Sequence, residues 1–390
     1  MRRDIHRPCM QRYQSHRQGG AHMRRVFAFL AVLLLFCVGA RAEGDIDAVV
    51  GALDLGSFEE AAAGTGIDVR TMLLSIASGE DAWRLEDVLP ALRDAFLDEF
   101  RRAVTLVAAL LAPALLSAIA RMLAGEGKGG GAVAQLSCLV CAAQLVLWFV
   151  RLAAEAEALI AGVARLADGV FPVLASLLSL SGATASAAMV TPLSALAGNA
   201  FSRLLAGVGL KLCTVAAALA AAGHLSPRLR LERLFSLVRS VANWLSGVLM
   251  TGFLGLSAVR ALLGTGYDSA AVRTARYAVD NLLPVVGGEV ANTMDALVSS
   301  VLLVKNAAGV TGLIALLLLC ARPLLCLVAA LFALRLISAL LEPVAEEGLT
   351  ALADKFSQVA GMLLVLCVSA AVILTLLLGG TLTAGQGVVR

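Results

Sequence analysis

Charged residues are scarce in this chain of 390 residues. They make up 15% of the sequence, whereas 59% of the residues are hydrophobic and the mean hydropathy is +0.88. Soluble domains carry about 25% charged residues, so most of this chain lacks the polar groups that a water-exposed surface needs. The composition excludes an ordinary soluble protein and predicts an all-α, polytopic helix bundle whose apolar surface lies in a lipid bilayer.

Aromatic residues and histidines are also scarce. Aromatics make up 5% of the chain, and the basic residues behind its net charge of +3 are scattered, which excludes nucleic acid as a partner. Beyond the first 22 residues the sequence has a single histidine, His224. Because nucleophile-elbow, zinc-protease and Walker motifs are missing as well, we expect no enzyme activity, no catalytic residues, no metal and no cofactor.

Cysteines are missing from the acidic segment at 43–102, so no disulfide framework is expected there. Six of the eight cysteines lie in apolar stretches beyond it, where thiols pack as small hydrophobic side chains. Cys138 and Cys141 have the spacing of a redox pair, but only apolar residues flank them, and no base is near to lower a thiol pKa. We therefore interpret both as inert packing residues.

A signal sequence precedes the acidic segment. Met23-Arg24-Arg25 leads into an apolar run at 26–38, and Ala40-Arg41-Ala42 forms a small-x-small cleavage site. We predict that residues 1–42 are an N-terminal extension and signal sequence, cleaved after Ala42. The run is too short for a comfortable membrane span, so the remaining chain would begin outside the cytoplasm.

Residues 43–102 are predicted to form a small, acidic, helical ectodomain. Fourteen acidic residues are accompanied by only three arginines up to residue 100. A Ser57/Glu60 capping box predicts one helix start, and Asp68 and Gly79 are expected to cap the two ends of another helix. The segment is interpreted either as solvated helices that lead into the membrane or as an acidic docking face for an extracytoplasmic partner.

Residues 103–385 are predicted to form the membrane domain, with about seven or eight spans and one re-entrant or broken segment. The clearest apolar runs have about the 20 residues that a bilayer needs. They lie at 103–120, 132–150, 204–222, 244–263, 301–321, 323–341 and 359–379. Segments 170–200 and 282–300 are less regular. Gly125–Gly131 is predicted to be a flexible connector, and Arg322-Pro323 is predicted to turn two spans into an antiparallel hairpin.

The most basic loop, from Arg228 to Arg239, is predicted to be cytoplasmic because positive charge is retained on that side. A chain that starts outside reaches this loop on the inside only when 170–200 does not cross the membrane fully. We therefore expect 170–200 to be re-entrant or broken.

Ionisable residues inside apolar spans are costly, which makes each of them a candidate functional group. The candidates for an intramembrane polar path are Lys211, Glu289, Asp295, Lys305 and Arg335. Lys211 lies in the middle of its predicted span and is the most costly. These residues are interpreted either as ion pairs within the bundle or as the lining of a water-filled conduit.

Small residues dominate the run at 181–188. The candidate packing or gate residues are Gly182, Ala183, Ala185, Ala187 and Pro192. Small side chains let membrane helices approach closely, and they also occur where unwound backbone lines a cavity. Tight packing and a pore constriction are the two interpretations.

Two stretches carry a specific resemblance, RYAVDNLLPVVGGE at 276–289 and LLVKNAAGVTG at 302–312. Together with the order of signal sequence, acidic segment and repeated spans over about 23–385, they resemble the stage III sporulation protein AE family. The resemblance implies a multi-pass protein of the mother-cell membrane around the forespore, with its ectodomain extracytoplasmic. Its implied role is the conduit or export gate of a sporulation-specific secretion or feeding channel, needed for late forespore gene expression.

The partners that the resemblance implies are other stage III sporulation A-complex proteins, namely an ATPase and ring-forming subunits, and a protein of the forespore membrane. Assembly with further copies of the chain is a related expectation. The family supplies no catalytic residues to carry over. The candidate residues above therefore come from the pattern of this chain alone.

Two other functions also fit the pattern. A self-contained secondary transporter would need an inverted repeat and a midplane site, for which the irregular segments 170–200 and 282–300 are a weak signal. A non-transporting scaffold would assemble the ring and ATPase subunits and would tolerate replacement of the intramembrane charges.

Overall fold

The computed structural model of the protein describes residues 46–79, 85–124, 128–195, 200–225, 231–282, 287–341 and 347–384. These ranges are helical apart from short turns and contain no strand, which confirms the all-α prediction. The α-helices are α1 Ile46–Gly51, α2 Gly56–Ala62, α3 Val69–Ser78, α4 Leu85–Ala124, α5 Lys128–Leu180, α6 Thr184–Ala195, α7 Ser202–Leu204, α8 Leu210–Leu225, α9 Glu232–Leu282, α10 Gly287–Leu341 and α11 Glu347–Thr383. A π-helical segment, Leu205–Gly209, joins α7 to α8.

Helix α3 has both of its predicted caps. The Asp68 carboxylate accepts hydrogen bonds from the backbone N–H groups of Arg70 (3.1 Å) and Thr71 (3.2 Å). Gly79 ends the helix in the left-handed conformation, with φ of +75°, which glycine adopts without a steric penalty. The predicted start and end of this helix are confirmed.

The predicted Ser57/Glu60 capping box is wrong. Helix α2 begins at Gly56, so Ser57 lies inside the helix. The N–H of Gly56 donates to the Asp54 carboxylate instead (3.2 Å). An acidic residue slightly earlier in the chain therefore satisfies a backbone donor at the start of α2.

Two pairs of predicted segments are each joined in one continuous helix. Helix α5 contains 132–150 and the beginning of 170–200, and α10 contains both 301–321 and 323–341. The predicted hairpin at Arg322-Pro323 is wrong, because α10 continues through Pro323. A proline removes one helical hydrogen bond, and a long helix packed among neighbours tolerates that loss.

Five stretches of the described chain are long and apolar enough to cross a membrane. They are Leu139–Leu180, Ser202–Gly223, Glu232–Ala258, Leu297–Leu340 and Leu349–Thr383. The predicted number of seven or eight spans is not confirmed. The predicted connector is also shorter than expected, because Gly129, Gly130 and Gly131 lie in the first turn of α5.

Helices α10 and α11 pack antiparallel, and glycines set their spacing. A Cβ atom at Gly309 would lie 2.5 Å from the Leu382 side chain, and a Cβ atom at Gly361 would lie 3.4 Å from Leu331. The two contacts are far apart, so the helices stay in register over most of their length. A side chain larger than glycine at Gly309 would require the Leu382 side chain to move.

Helix α5 joins this pair. A Cβ atom at Gly162 would lie 3.2 Å from Leu319, and one at Gly312 would lie 3.3 Å from Val170 and 3.5 Å from Leu378. These contacts make α5 antiparallel to α10 and parallel to α11. The three helices form the centre of the bundle.

Helices α8 and α9 also pack against α11. A Cβ atom at Gly209 would lie 2.7 Å from Leu366, so the π-helical segment brings backbone close to α11. Arg239 of α9 hydrogen-bonds to Gln358 of α11. With the contact between the rings of Phe201 and Phe253 (5.4 Å), this makes α8 antiparallel and α9 parallel to α11.

The break predicted for 170–200 is present at Gly182, whose φ is +80°. The N–H of Ala183 donates to the Leu178 carbonyl (3.0 Å), which ends α5, and α6 then folds back along α5. Ala183 and Ala187 are buried and Pro192 is exposed. The buried alanines favour close packing of α6 on the bundle, and the side chain of Ala185 lies outside the described residues.

The bundle has two different ends. Helices α1–α3 cover one of them, where Met72 packs with Val310 and Leu382 and where a Cβ atom at Gly169 would lie 2.6 Å from the Ser57 carbonyl oxygen. We call this the N-terminal-helix end. At the opposite end α10 finishes and α9 and α11 begin. A cavity lies between these three helices there, and we call this the cavity end.

Candidate functional site: charged groups along the bundle

The predicted intramembrane charges lie apart. Lys305 lies at the N-terminal-helix end of α10, Arg335 lies at the cavity end of the same helix, and Lys211 lies on α8. Lys305 and Arg335 are separated by roughly 45 Å along the helix axis. Glu289 and Asp295 also belong to α10, but their side chains lie outside the described residues.

Lys305 is completely buried, with 0% of its surface exposed. Its ammonium group donates hydrogen bonds to the backbone carbonyls of Leu382 (3.1 Å) and Ala384. The last carbonyls of a helix have no partner within the helix and carry partial negative charge. Lys305 therefore fastens the end of α11 to α10, which is a structural role.

Lys211 is exposed on the outer face of α8. It lies two residues after Gly209, which contacts Leu366 near the middle of α11. Its ammonium group is therefore not enclosed by its own chain.

Arg335 lines a cavity of about 530 Å³ between α9, α10 and α11. On the wall opposite, Arg239 donates a hydrogen bond to the amide oxygen of Gln358 (2.7 Å), and the amide nitrogen of Gln358 donates to Asp354 (2.8 Å). This hydrogen-bonded chain links α9 to α11. Arg335 reaches the cavity from α10.

A group of exposed charges without ion pairs lies on α5. Five charged side chains between 151 and 168 are exposed, and none of them forms an ion pair in the part of the chain that the structure describes. They are Arg151, Glu155, Glu157, Arg165 and Asp168. The opposite face of the same helical segment is apolar and buried, with Leu159, Val163 and Leu166 in the core. We call the five exposed charges the charged flank.

The charged flank lies beside the most apolar part of the bundle. At one end of the flank, the rings of Phe149 of α5 and Phe356 of α11 have centroids 6.2 Å apart. At the other end, Val170 of α5 and Leu378 of α11 both lie beside Gly312 of α10. Residues 149–170 of α5 therefore run beside 356–383 of α11, which contains no charged residue. A bilayer needs about 20 residues of helix. Whichever 20 residues of 356–383 lie in the membrane, at least three charges of the flank lie beside them.

Helix α4 extends this polar surface. Glu99 is largely buried and forms an ion pair with Arg102 (3.1 Å). Glu99, Arg102 and Glu155 of the flank are all close enough to Cys326 of α10 to act on it electrostatically. The polar surface therefore continues from α5 across the α4–α10 contact.

Sequence patterns alone do not single out the charged flank, because it lies between the predicted span 132–150 and the predicted broken segment 170–200, where a polar connection is expected. The signal that reveals it is continuity. Apart from Pro172, residues 132–180 contain no helix-ending pattern, so the charges belong to a helix and not to a loop. Gln358 and Asp354 are also missed, because they lie about two to three turns inside α11, just before the predicted span 359–379.

Comparison with known proteins identifies the chain. The profile of the family described as Stage III sporulation protein AE matches residues 67–385, which is most of the chain, so the chain belongs to this family. It is 28% identical over 172 residues to Stage III sporulation protein AE of Bacillus subtilis (strain 168), a match that covers 44% of this chain and 43% of that relative. The chain thus matches less than half the length of this relative. No solved structure matches it.

Proposed function

We propose that this member of the stage III sporulation protein AE family is the conduit or export gate of a sporulation-specific channel complex between mother cell and forespore. The observation that carries the proposal is the charged flank, which lies at the level where the rest of the bundle is most apolar. In this role the chain would let polar material pass the mother-cell membrane and so support late gene expression in the forespore.

The energy of charges in lipid gives the reason. An ionised side chain at the centre of a bilayer costs about 2.5–3.5 kcal/mol on insertion scales. Three such charges facing lipid would cost about 8–10 kcal/mol, which is comparable to the whole stability of an ordinary domain at about 5–15 kcal/mol. The flank is therefore expected to face water or polar protein.

A single chain does not enclose the flank, because these side chains point away from its own core. Further subunits, either copies of this chain or the ring-forming proteins of the complex, would close a path over it. Closed this way, the path would have alternating positive and negative groups on its wall. Such a wall suits hydrated cargo of mixed charge better than a single ion.

An exposed apolar surface also calls for neighbouring subunits. The hairpin of α4 and the beginning of α5 exposes large apolar side chains, with Leu147 68% exposed. The others include Leu115, Ile119, Leu136 and Leu139. This hairpin and the run 356–383 together extend over roughly 70 Å, more than twice the 30 Å of a hydrocarbon core. One flat bilayer cannot cover both, so protein is expected to cover one of them.

The order of the helices supports an extracytoplasmic position for α1–α3. Arg233 and Arg239 lie in the first turns of α9 at the cavity end, and positive charge marks the cytoplasmic side. Six helical stretches, α4, α5, α6–α8, α9, α10 and α11, alternate in direction between the two ends. Five of them contain an apolar stretch long enough to cross a membrane, and the proposed topology needs α4 to cross as the sixth. A chain that starts outside then reaches the basic loop on the inside without a re-entrant segment, and α1–α3 would face a partner across the intermembrane space.

Cysteine labelling tests whether the flank faces water. Glu157→Cys and Asp168→Cys are expected to react with a membrane-impermeant maleimide in membranes that contain the complete sporulation complex. Val248→Cys and Leu254→Cys are matched controls on the exposed apolar face of α9, and lipid should keep them unlabelled. Four of the native cysteines, Cys141, Cys213, Cys320 and Cys367, are buried, which keeps the background low.

Labelling of the flank together with silent controls would support a water-filled path. Flank cysteines that stay unlabelled in a correctly inserted and complete complex would mean that protein covers the flank, and the chain would then be a non-transporting scaffold. Flux of size-graded solutes through liposomes containing the complex adds a second readout. The Glu157→Gln/Asp168→Asn variant should change the flux while the complex still assembles.

A further inference from the structure

We infer that the cavity at the cavity end binds a phosphate-type anion that carries an apolar substituent. This site does not depend on the conduit proposal, because the charged flank lies on α5 and the cavity is lined by α9, α10 and α11. The argument rests on charge, on the level of the charged groups along the bundle, and on the apolar character of the deeper wall.

The cavity has an excess of positive charge. Two guanidinium groups, Arg239 and Arg335, and one carboxylate, Asp354, line it. Gln358 occupies one donor of Arg239 (2.7 Å) and one acceptor oxygen of Asp354 (2.8 Å). Arg335 has no hydrogen bond or ion pair with any part of the chain that the structure describes. Its five N–H donors are therefore available to a ligand.

The three charged groups lie at one level. Arg239 and Asp354 are each seven residues beyond the start of their helices, and Arg335 is six residues before the end of α10. Each is thus roughly 10 Å from a helix end. A membrane protein meets lipid phosphates and dissolved anions at such a level, between the helix ends and the apolar interior.

The deeper wall of the cavity is apolar. Leu331, Met362 and Val365 line it beyond the charged level. From Asp354 to Val365 the wall extends over roughly 16 Å of α11. A ligand with an anionic group at the charged level and an apolar part toward Val365 matches both regions.

The arrangement of donors suits a phosphate group. The planar guanidinium group of an arginine binds two phosphate oxygens at once. Asn243 and Ser357 also line the cavity and supply neutral donors beside Arg335. The oxygens of a phosphate group can accept hydrogen bonds from all three side chains. The phosphate can belong to an anionic lipid headgroup or to a soluble phosphate ester.

Binding to the full chain in nanodiscs separates these two sources. The discs contain phosphatidylcholine alone or with added phosphatidylglycerol, and glycerol phosphate is added to the buffer of the first set. Retained ligand is counted by native mass spectrometry, and affinity is measured from the shift of the unfolding temperature. We expect one ligand to be retained per chain with one of the two probes.

Variants assign the binding to the cavity. Arg335→Gln should weaken binding about ten- to a hundredfold, the usual effect of losing a charge-assisted hydrogen bond. Arg335→Lys should weaken it less, because the charge stays and the planar fork is lost. Asp354→Asn should tighten binding, because it removes the carboxylate that repels the anion. Arg203→Gln removes an exposed arginine that does not line the cavity and should change nothing.

Dependence on phosphatidylglycerol identifies a lipid headgroup, and dependence on glycerol phosphate in pure phosphatidylcholine discs identifies a soluble ester. The inference is overturned when wild type retains neither probe, or when Arg335→Gln binds both probes as tightly as wild type. It is also overturned when Asp354→Asn weakens binding as Arg335→Gln does. If Arg335→Gln does not fold, the predicted tightening of binding by Asp354→Asn still tests the inference.

Discussion

The two ends of α10 carry the same kind of charge in opposite surroundings. At the N-terminal-helix end, Lys305 is fully buried and its ammonium group is held by the carbonyls of Leu382 and Ala384. At the cavity end, Arg335 is exposed to a cavity and has no described partner. The first cation completes the packing of two helices, and the second is available to something outside the chain.

This contrast teaches that a charge in an apolar helix indicates function only when its donors are unused. The insertion cost of the two residues is similar when the sequence alone is considered. Backbone carbonyls offset that cost for Lys305, because a helix C-terminus accepts hydrogen bonds from a cation. Among the residues that the structure describes, no group offsets the cost of Arg335 in this way, so the same cost there points to water or a ligand.

Replacement of Lys305 by methionine should have the largest effect on stability. Methionine has a similar length and flexibility and fills the space, but it removes the ammonium hydrogen bonds to the carbonyls of Leu382 and Ala384. Losing buried hydrogen bonds from a charged donor costs about 1–3 kcal/mol. We expect Lys305→Met to lower the free energy of unfolding by about that amount, measured by denaturant titration of the purified protein in detergent.

Arg335→Gln is the matched control at the other end of the helix. It removes a cation that has no described partner, so the free energy of unfolding in the same titration should change by less than about 0.5 kcal/mol. Equal losses from the two variants would break the comparison, because both cations would then be structural.

Glycine replacements compare the packing at the same two ends. Alanine gains about 1 kcal/mol over glycine inside a helix. At Gly361 its Cβ would make an ordinary contact of 3.4 Å with Leu331, so Gly361→Ala should stabilise the protein by about 0.5–1 kcal/mol. At Gly309 the Cβ would lie 2.5 Å from Leu382, and Gly309→Ala should destabilise it by about 1 kcal/mol through overpacking.

Thermal unfolding of both glycine variants in one detergent gives the signs directly. Stabilisation by Gly309→Ala would show that Leu382 moves aside without cost. The tight contact between α10 and α11 would then not be what fixes the position of Lys305.

The all-α class was predictable because it depends only on apolar composition and on the need to satisfy the backbone in lipid. The caps of α3 were predictable because Asp68 and Gly79 act through their own neighbours. The predicted helix bounds were wrong where tertiary packing overrides a local sequence pattern. Pro323 suggests a break in the sequence, but packing of α10 against its neighbours keeps the helix intact.

The candidate site was less predictable than the fold. Sequence alone cannot say that Lys305 meets the end of α11, because its partners are backbone carbonyls 77 and 79 residues away. Nor can it align 149–170 of α5 with the uncharged run of α11, which is what makes the charged flank unusual. Both facts depend on helix register, and register is set by distant contacts such as Gly162 with Leu319.

The smallest expected effect concerns Asp68, which lies at the N-terminal-helix end outside the apolar helices. Hydrogen bonds from the hydroxyl and the backbone N–H of Thr71 are the main reason that the pKa of Asp68 is lower than its usual value. A lowered pKa means that the ionised form stabilises the folded state. This contribution is complete above the unfolded pKa of about 3.9 and disappears as the pH falls through the lower folded value.

Asp68→Asn keeps an acceptor for the cap but does not titrate. Thermal unfolding between pH 3 and 6 should therefore show a slightly steeper loss of stability on acidification for wild type than for Asp68→Asn, and parallel curves would show that this cap contributes no pH dependence.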